Sequence, residues 1–494
     1  MSYVIGIDLG TSAVKVIAAN QKGQICAESS RSYPLYNPKF GYSEQDPEDW
    51  VNETIAALQD LMSQLPSSTV EGISFSGQMH GLVLLDAKKQ PLRRAILWND
   101  TRSTKQCRAI EERVGKKRLY EITKNPSLEG MTLSKLLWVK ENEPDVYKEA
   151  EVFLLPKDYV RFKLTGDLHM DYSDAAGTLL LNIREKAWSK EVAEKTGINL
   201  SLCPPLVESS EQTGKVKEDL VRGLDGVKVY AGGADNACGA VGAGILKNGR
   251  TLCSIGTSGV ILSYEESANL EFNGNVHYFN HSQPNAYYTM GVTLSAGQSL
   301  SWFREQFAED VSFEELLSSI NEIPPGANGL LFTPYLAGER TPHADAAIRG
   351  SFIGVDTFHS RSHFVKAILE GITFSLYESI VKFRESGKRI DEIVSIGGGA
   401  KNRGWLQMQA DIFDATIIKY ETEEGPALGA AMLAAYGCGW FPYLESCSER
   451  FLKEKERFTP NKERVEEYRR LFPIYQSVYT NTKELSEKLT SYRQ

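Results

Sequence analysis

At 494 residues, with 41% apolar and 24% charged side chains, the chain is long enough for two large domains and has an ordinary globular make-up. A formal charge of −9 argues against broad nucleic-acid binding, and no apolar run approaches the ~18 residues needed to cross a bilayer. The seven cysteines are scattered without a C-x-x-C pair, and the start MSYVIGIDLG lacks the marks of a signal peptide, so free thiols in a reducing cytoplasm are expected.

The opening segment YVIGIDLGTSAVKVIAAN reads as strand, polar turn, strand, with Val4, Ile5 and Ile7 before the turn and Val14, Val16 and Ile17 after it. Residues 47–65 carry apolar side chains at helical spacing, with Pro47 at the start. A buried strand follows at 70–77, then GLVLLDAKKQPL with a turn at 87–90. Strands alternating with helices and hairpins indicate an α/β architecture. Near residue 251 a second cycle begins, TLCSIGTSGVILSYE. Aligned on Gly-Thr-Ser, Asp8 to Ser12 match Ser254 to Ser258, and Val14 matches Val260. A repeat half a chain later suggests two related domains, 1–245 and 246–494, facing each other across a cleft. The Gly-rich stretch 239–250 is the expected join and can absorb backbone rotation on closure. The tail reads as one or two amphipathic helices, interrupted near Pro473.

There is no G-x-x-x-x-G-K-[ST] and no G-x-G-x-x-G after the first strand, so this is not a P-loop protein. Gly10-Thr11-Ser12 and Gly256-Thr257-Ser258 can still hold phosphate through turn amides and hydroxyls. The alternative is two hairpin turns chosen for strand geometry. The first copy has Asp8 where the second has Ser254. A carboxylate beside a triphosphate needs a cation between them, so Asp8 reads as a Mg²⁺ ligand acting through water. Otherwise it is an Asp that ends a strand and bonds to turn amides. In EIVSIGGGAKNRGWLQMQADIF a strand meets Gly397-Gly398-Gly399, and Asn402 opens a helix. That arrangement suits nucleotide phosphates or ribose, with a plain connector as the alternative. In KVYAGGADNACGAVGAGI, Asp235 is either a helix N-cap or a carboxylate that accepts a proton from an attacking hydroxyl. SGQMHG (76–81) and AILWNDTR (95–102) carry the dense hydrogen-bonding side chains that a polyol requires. Met79 or Trp98 can cover its C–H faces, while His80 taken alone reads as a core histidine. The pairs His277/His281 and His359/His363 lack the H-E-x-x-H arrangement, so zinc is not expected.

Together these pieces resemble the FGGY carbohydrate kinases over nearly the whole chain. GIDLGTS and SIGTSG are similar to the family's two phosphate motifs, and GGGAKN to its adenosine motif. EGMTLSKLLWVKEN (129–142), with Lys135 and Trp138, and GSFIGVDTFHSRSHFVKAILE (350–370), ending in Glu370, are similar to its signatures. PYLAGERTPH (334–343) and EGPALGAA (424–431) are family-like as well. Within the family, SGQMHG, ILWND-R, LLPKDY and SDAAGT resemble the members that act on xylulose.

The resemblance implies two ribonuclease-H-like domains of the actin and Hsp70 ATPase type, with ATP and sugar between them. It implies transfer of a phosphoryl group from ATP to xylulose, with Asp235 as proton acceptor and Met79, His80 and Asn236 on the sugar. It also implies Asp8 acting with Mg²⁺, and Gly10, Thr11, Ser12, Gly256, Thr257, Gly297, Gly398, Gly399 and Asn402 on the nucleotide. A kinase for another ketopentose, pentitol or sugar acid is the alternative within the family. A non-enzymatic nucleotide switch of the actin or chaperone kind is the alternative outside it. No nucleic-acid or membrane partner is expected, and a homodimer is left open. Two departures carry expectations. Ala234 stands where the family usually has glycine, which would shift the site if that position needed positive φ. Cys238 places a thiol near the base, an expected point of oxidation sensitivity.

Overall fold

The computed structural model describes residues 2–493 apart from 66–68, 271, 273, 275 and 423. β1 (Ser2–Leu9) and β2 (Ala13–Asn20) form the expected hairpin, and their alternating side chains are buried on both faces. β3 (Ile25–Ser32) extends the hairpin antiparallel, and β4 (Thr69–Gly77) lies parallel on the other side of β1. β5 (Gln212–Lys215), β6 (Lys228–Tyr230) and β7 (Gly233–Ala234) complete the sheet, with β6 and β7 parallel to β4.

The second sheet repeats this wiring. β8 (Gly249–Ile255) and β9 (Gly259–Glu265) form its hairpin, followed by β10 (His277–Asn280) and β11 (Tyr287–Thr293). β12 (Ile390–Gly397) and β13 (Thr416–Tyr420) run parallel to β8, and β14 (Glu454–Phe458) closes the edge. The shared orders β3-β2-β1-β4-β6 and β11-β9-β8-β12-β13 are the two-domain ribonuclease-H-like arrangement. The Gly-Thr-Ser match marked equivalent hairpin turns in the two sheets.

One face of the first sheet (Ile5, Ile7, Val14, Val16) packs on α1 (Pro47–Gln64). Asp46 caps that helix, and Trp50, Ala57, Leu58 and Leu61 are its buried stripe. The opposite face (Val4, Ile17, Ala19) joins a core shared with α2 (Asp235–Gly242) and the second sheet. α3 (Gly297–Phe307), α4 (Arg361–Glu385) and α5 (Arg403–Phe413) flank the second sheet. α6 (Gly425–Gly437) departs from chain order, because it lies across the first sheet and against α2. Glycine permits both approaches: a Cβ on Gly6 would stand 2.0 Å from the Ala427 carbonyl oxygen, and one on Gly429 1.8 Å from that of Cys238.

α2 runs through positions 239–242 of the expected join, and after it Gly244 and Gly249 adopt φ of 69° and 86°. One expectation needs correcting. The tail is one helix, α7 (Lys462–Leu489), which continues through Pro473. Buried Tyr468, Phe472, Tyr475 and Val478 hold it together where the proline removes a backbone donor. No described helix is long and apolar enough to cross a membrane.

Candidate active site

The glycine-bounded stretch 76–81 lies at the end of β4. Gln78 continues the pairing, its N–H donating to the Leu9 carbonyl at 2.8 Å. Its side chain turns toward the first Gly-Thr-Ser turn, and Nε2 donates to Gln45 Oε1 (3.0 Å) and to the Gly10 carbonyl (3.4 Å). Gln45 in turn donates to the Thr11 carbonyl at 2.7 Å, so this glutamine pair braces the turn.

His80 adopts φ of 69°, a left-handed conformation uncommon for a residue with a Cβ. Its carbonyl is held there by Lys135 Nζ and Thr132 Oγ1, each at 3.0 Å. Its Nδ1 lies 2.7 Å from the Gly177 carbonyl oxygen, which can only accept, so Nδ1 carries the hydrogen and Nε2 keeps a lone pair. Burial, and then the nearby Lys135 charge, push the imidazole down to about 3, so it is neutral at physiological pH.

The same imidazole lines a cavity of about 260 Å³, together with Trp98, Glu129, His277, Phe279 and Arg340. The last three come from the second half of the chain. Met79 is buried beside the cavity, and its sulfur accepts from Asn236 Nδ2 at 3.5 Å.

Asp235 is the first residue of α2. Ala234 occupies the cap position, so Asp235 is not the helix N-cap. Its Oδ1 accepts from the Asn236 backbone N–H (2.6 Å) and from Asn236 Nδ2 (3.1 Å). Burial, and then the charge of Asp8, raise its carboxyl to about 7. Asp8 pairs with Lys15 across the hairpin and lies beside Ser76 of β4. Its Oδ1 is buried without a hydrogen-bond partner, and burial raises its carboxyl to about 6 against the opposing pull of Ser76 and Lys15. Asp8 and Asp235 are thus two neighbouring carboxyls, both with raised affinity for protons.

Ala234 sits at φ −53°, so replacement of glycine costs nothing there. The positive φ of the motif belongs to Gly232, at 75°, where a Cβ would stand 2.1 Å from the Phe75 carbonyl oxygen. Cys238 is fully buried and its thiol is pushed up by burial, which keeps it protonated and shielded from oxidants. The expectation of oxidation sensitivity is corrected accordingly.

A second cavity, about 390 Å³, collects Gly256, Thr257, Gly297, Gly398, Gly399 and Asn402, with Trp405 as an aromatic wall. Gly297 is seated by its N–H on the Gly256 carbonyl at 2.9 Å, and a Cβ there would stand 2.3 Å from that oxygen. Asn402 caps α5, its Oδ1 accepting from the Trp405 N–H at 3.0 Å, so only its amide NH₂ is free for a ligand. Gly10, Thr11 and Ser12 do not line this cavity. They form the matching turn on the first sheet, where Thr11 Oγ1 accepts from Trp98 Nε1 at 2.9 Å.

Sequence reasoning missed a buried charge cluster beside the strand that leads into Asp235. Lys157 Nζ lies 2.7, 2.8 and 3.0 Å from carboxylate oxygens of Asp158, Asp171 and Asp174. Among the described residues these are the acidic side chains grouped tightly enough for a metal ion, but the ammonium already fills their centre. Asp171 accepts from Ser209 Oγ (2.8 Å) and from Ser173, whose hydroxyl accepts the Ala234 N–H at 2.9 Å. Arg161 donates to the Ala231 carbonyl at 2.8 Å. The cluster therefore fixes the backbone that leads into Asp235. The signals in the sequence were LLPKDY, which carries Lys157 and Asp158, and SDAAGT, which carries Ser173 and Asp174.

Comparison with known proteins agrees with this geometry. The family model for the N-terminal domain of the FGGY family of carbohydrate kinases matches residues 3–242, and that for the C-terminal domain matches residues 251–438. A xylulose kinase of Bacillus subtilis is 60% identical over 498 residues, covering 100% of both chains. One from Staphylococcus epidermidis is 51% identical, with 98% of each chain covered. The crystal structure of a xyloylose kinase from Brucella ovis superposes with a TM-score of 0.92 at 33% identity, over 98% of this chain and 100% of that one. With both halves matched in order, this chain belongs to the FGGY family of carbohydrate kinases.

Proposed function

We propose that the chain transfers the γ-phosphoryl group of ATP to the C5 hydroxyl of D-xylulose, giving ADP and D-xylulose 5-phosphate. The observation that carries this reading is the chain of contacts from Asp235 through Asn236 and Met79 to a neutral His80 at the wall of a cavity lined by both apolar and hydrogen-bonding side chains. The high identity to chains named xylulose kinase supports the choice of sugar.

In this mechanism Asp235 accepts the proton of the attacking hydroxyl, and its raised pKa matches it to that task near neutral pH. His80 Nε2 accepts a hydrogen bond from another sugar hydroxyl, and Met79 covers a C–H face. The amides and hydroxyls of the two Gly-Thr-Ser turns hold phosphate oxygens, and the larger cavity takes the adenosine. The carboxyl pair fits Mg²⁺, since Asp8 Oδ1 is buried without a partner and like charge raises Asp235. When bound, the ion would supply charge neutralisation on the phosphate oxygens. Rotation about Gly244 and Gly249, between a first domain at 1–245 and a second at 246–494, would exclude water from the reacting groups. We place the enzyme in the cytoplasm.

The test is ADP release over a panel of sugars. The highest kcat/KM is expected for D-xylulose, and preference for ribulose, glycerol or gluconate would overturn the choice of substrate. Gluconate merits its arm because the Arg340 guanidinium in the cavity would also suit a carboxylate. His80→Ala is expected to raise the sugar KM by ~10-fold or more, the loss of a buried hydrogen bond, with little change in the KM for ATP. Equal effects on both constants would reduce His80 to a structural residue.

A further inference from the structure

The sugar cavity is rich in groups that accept hydrogen bonds and poor in uncommitted donors. Trp98 gives its Nε1–H to Thr11, and Thr101 its hydroxyl to the Gly41 carbonyl at 3.3 Å. The Nδ1 hydrogens of His80 and His277 are taken by the Gly177 carbonyl and by Asn125 Oδ1. Asn99 stands exposed at the mouth. Arg340 is the exception: it lines the cavity at an exposed position, attracted by the Glu129 and Glu339 carboxylates, yet it makes no side-chain hydrogen bond or ion pair among the described residues.

Its backbone is firmly placed. The Arg340 N–H donates to Glu339 Oε1 at 2.7 Å, and Glu339 also accepts from the Leu294 N–H (3.0 Å) and Ser375 Oγ (3.0 Å). Thr341 then pairs with Val292 of β11 through both its N–H (3.0 Å) and its Oγ1 (3.1 Å). The backbone is therefore held in place, and it presents an exposed guanidinium with several unpaired donors to a ligand oxygen at the cavity.

The chemistry of the substrate says which oxygen. A ketopentose whose C5 hydroxyl attacks phosphorus must be open-chain, because ring closure through that hydroxyl would consume the nucleophile. Its C2 carbonyl is then free. A carbonyl oxygen can only accept, so His80 Nε2 and the cavity carboxylates cannot satisfy it, whereas a guanidinium can. We infer that Arg340, carried in by the second half of the chain, donates to the C2 carbonyl oxygen of the open-chain ketose and so selects the ketose over the corresponding alcohol. This rests on the function proposed above.

The experiment compares calorimetric Kd values for D-xylulose and for D-arabinitol, the same chain with its C2 carbonyl reduced, in the wild type and in Arg340→Gln. A lost hydrogen bond to a charged donor should weaken D-xylulose by ~10- to ~150-fold. The alcohol should weaken much less, since its hydroxyl can turn to the amide oxygen of glutamine, and the Kd ratio should fall about tenfold. Equal weakening of both ligands, or none, would overturn the inference. Arg340→Lys keeps a charged donor and is expected to retain part of the discrimination, and unchanged ADP binding reports that each variant is folded. Wild-type protein that turns over no D-xylulose would instead bring down the function on which the inference depends.

Discussion

Asp235→Ala is expected to lower kcat by ~10²- to ~10⁴-fold, the range for loss of a positioned general base, with Kd values for ATP and D-xylulose within a few-fold of wild type. Near-normal turnover would remove Asp235 from the role. The wild-type pH profile provides a second check. The base acts ionised, so kcat/KM should fall tenfold per pH unit below about 7, where Asp235 protonates, and Asp235→Asn should lose that dependence. The same raised pKa has a cost in stability. The fold disfavours the ionised carboxyl, so a penalty absent below pH 3.8 grows as pH rises and is complete above about pH 7. Asp235→Asn should therefore melt higher than wild type at pH 8, and the gain should vanish near pH 4. A variant that is inactive yet more stable is the signature of a residue kept for chemistry.

The second large effect concerns Lys157. Its ammonium is fully buried among three aspartates, and removing one partner from such a cluster leaves uncompensated charge, at about 3–5 kcal/mol. Lys157→Met should lower the free energy of unfolding by an amount of that order, read from the shift of the denaturant midpoint. The loss should shrink as pH falls, because Asp171, whose carboxyl Lys157 and its hydrogen bonds hold below the usual range, can then protonate. Lys157→Met combined with Asp171→Asn should be milder than Lys157→Met alone. A double variant as unstable as the sum of the two single ones would show that the two charges are not coupled.

What could be read in the sequence was local. The Gly-Thr-Ser turns, the triple glycine before Asn402 and the Gly-Gly-Ala-Asp-Asn run each pack their chemistry into a few consecutive residues, and turns need particular residue types. The matched hairpins then followed, because hydrophobic alternation fixes which face of a strand is buried. Long-range placements could not be read. Gln78 turning to Gly10, Lys157 supporting residue 234 and Arg340 entering a cavity built by the first half all depend on the approach of distant segments. Pro473 misled for a related reason, because local propensity ends a helix where tertiary burial continues it.

The crossing of α6 over the first sheet has a consequence for biosynthesis. Val4, Ile17 and Ala19 find their cover partly in a helix that ends at residue 437, so nascent chain must emerge almost to its end before that face is shielded. During translation the first half stands with an apolar surface open to other chains, in the very region that will carry Asp235. A fragment ending at residue 245 should accordingly aggregate on release, and co-expression of the remaining segment should rescue it. Surface left open in this way is aggregation-prone until the covering helix has been made.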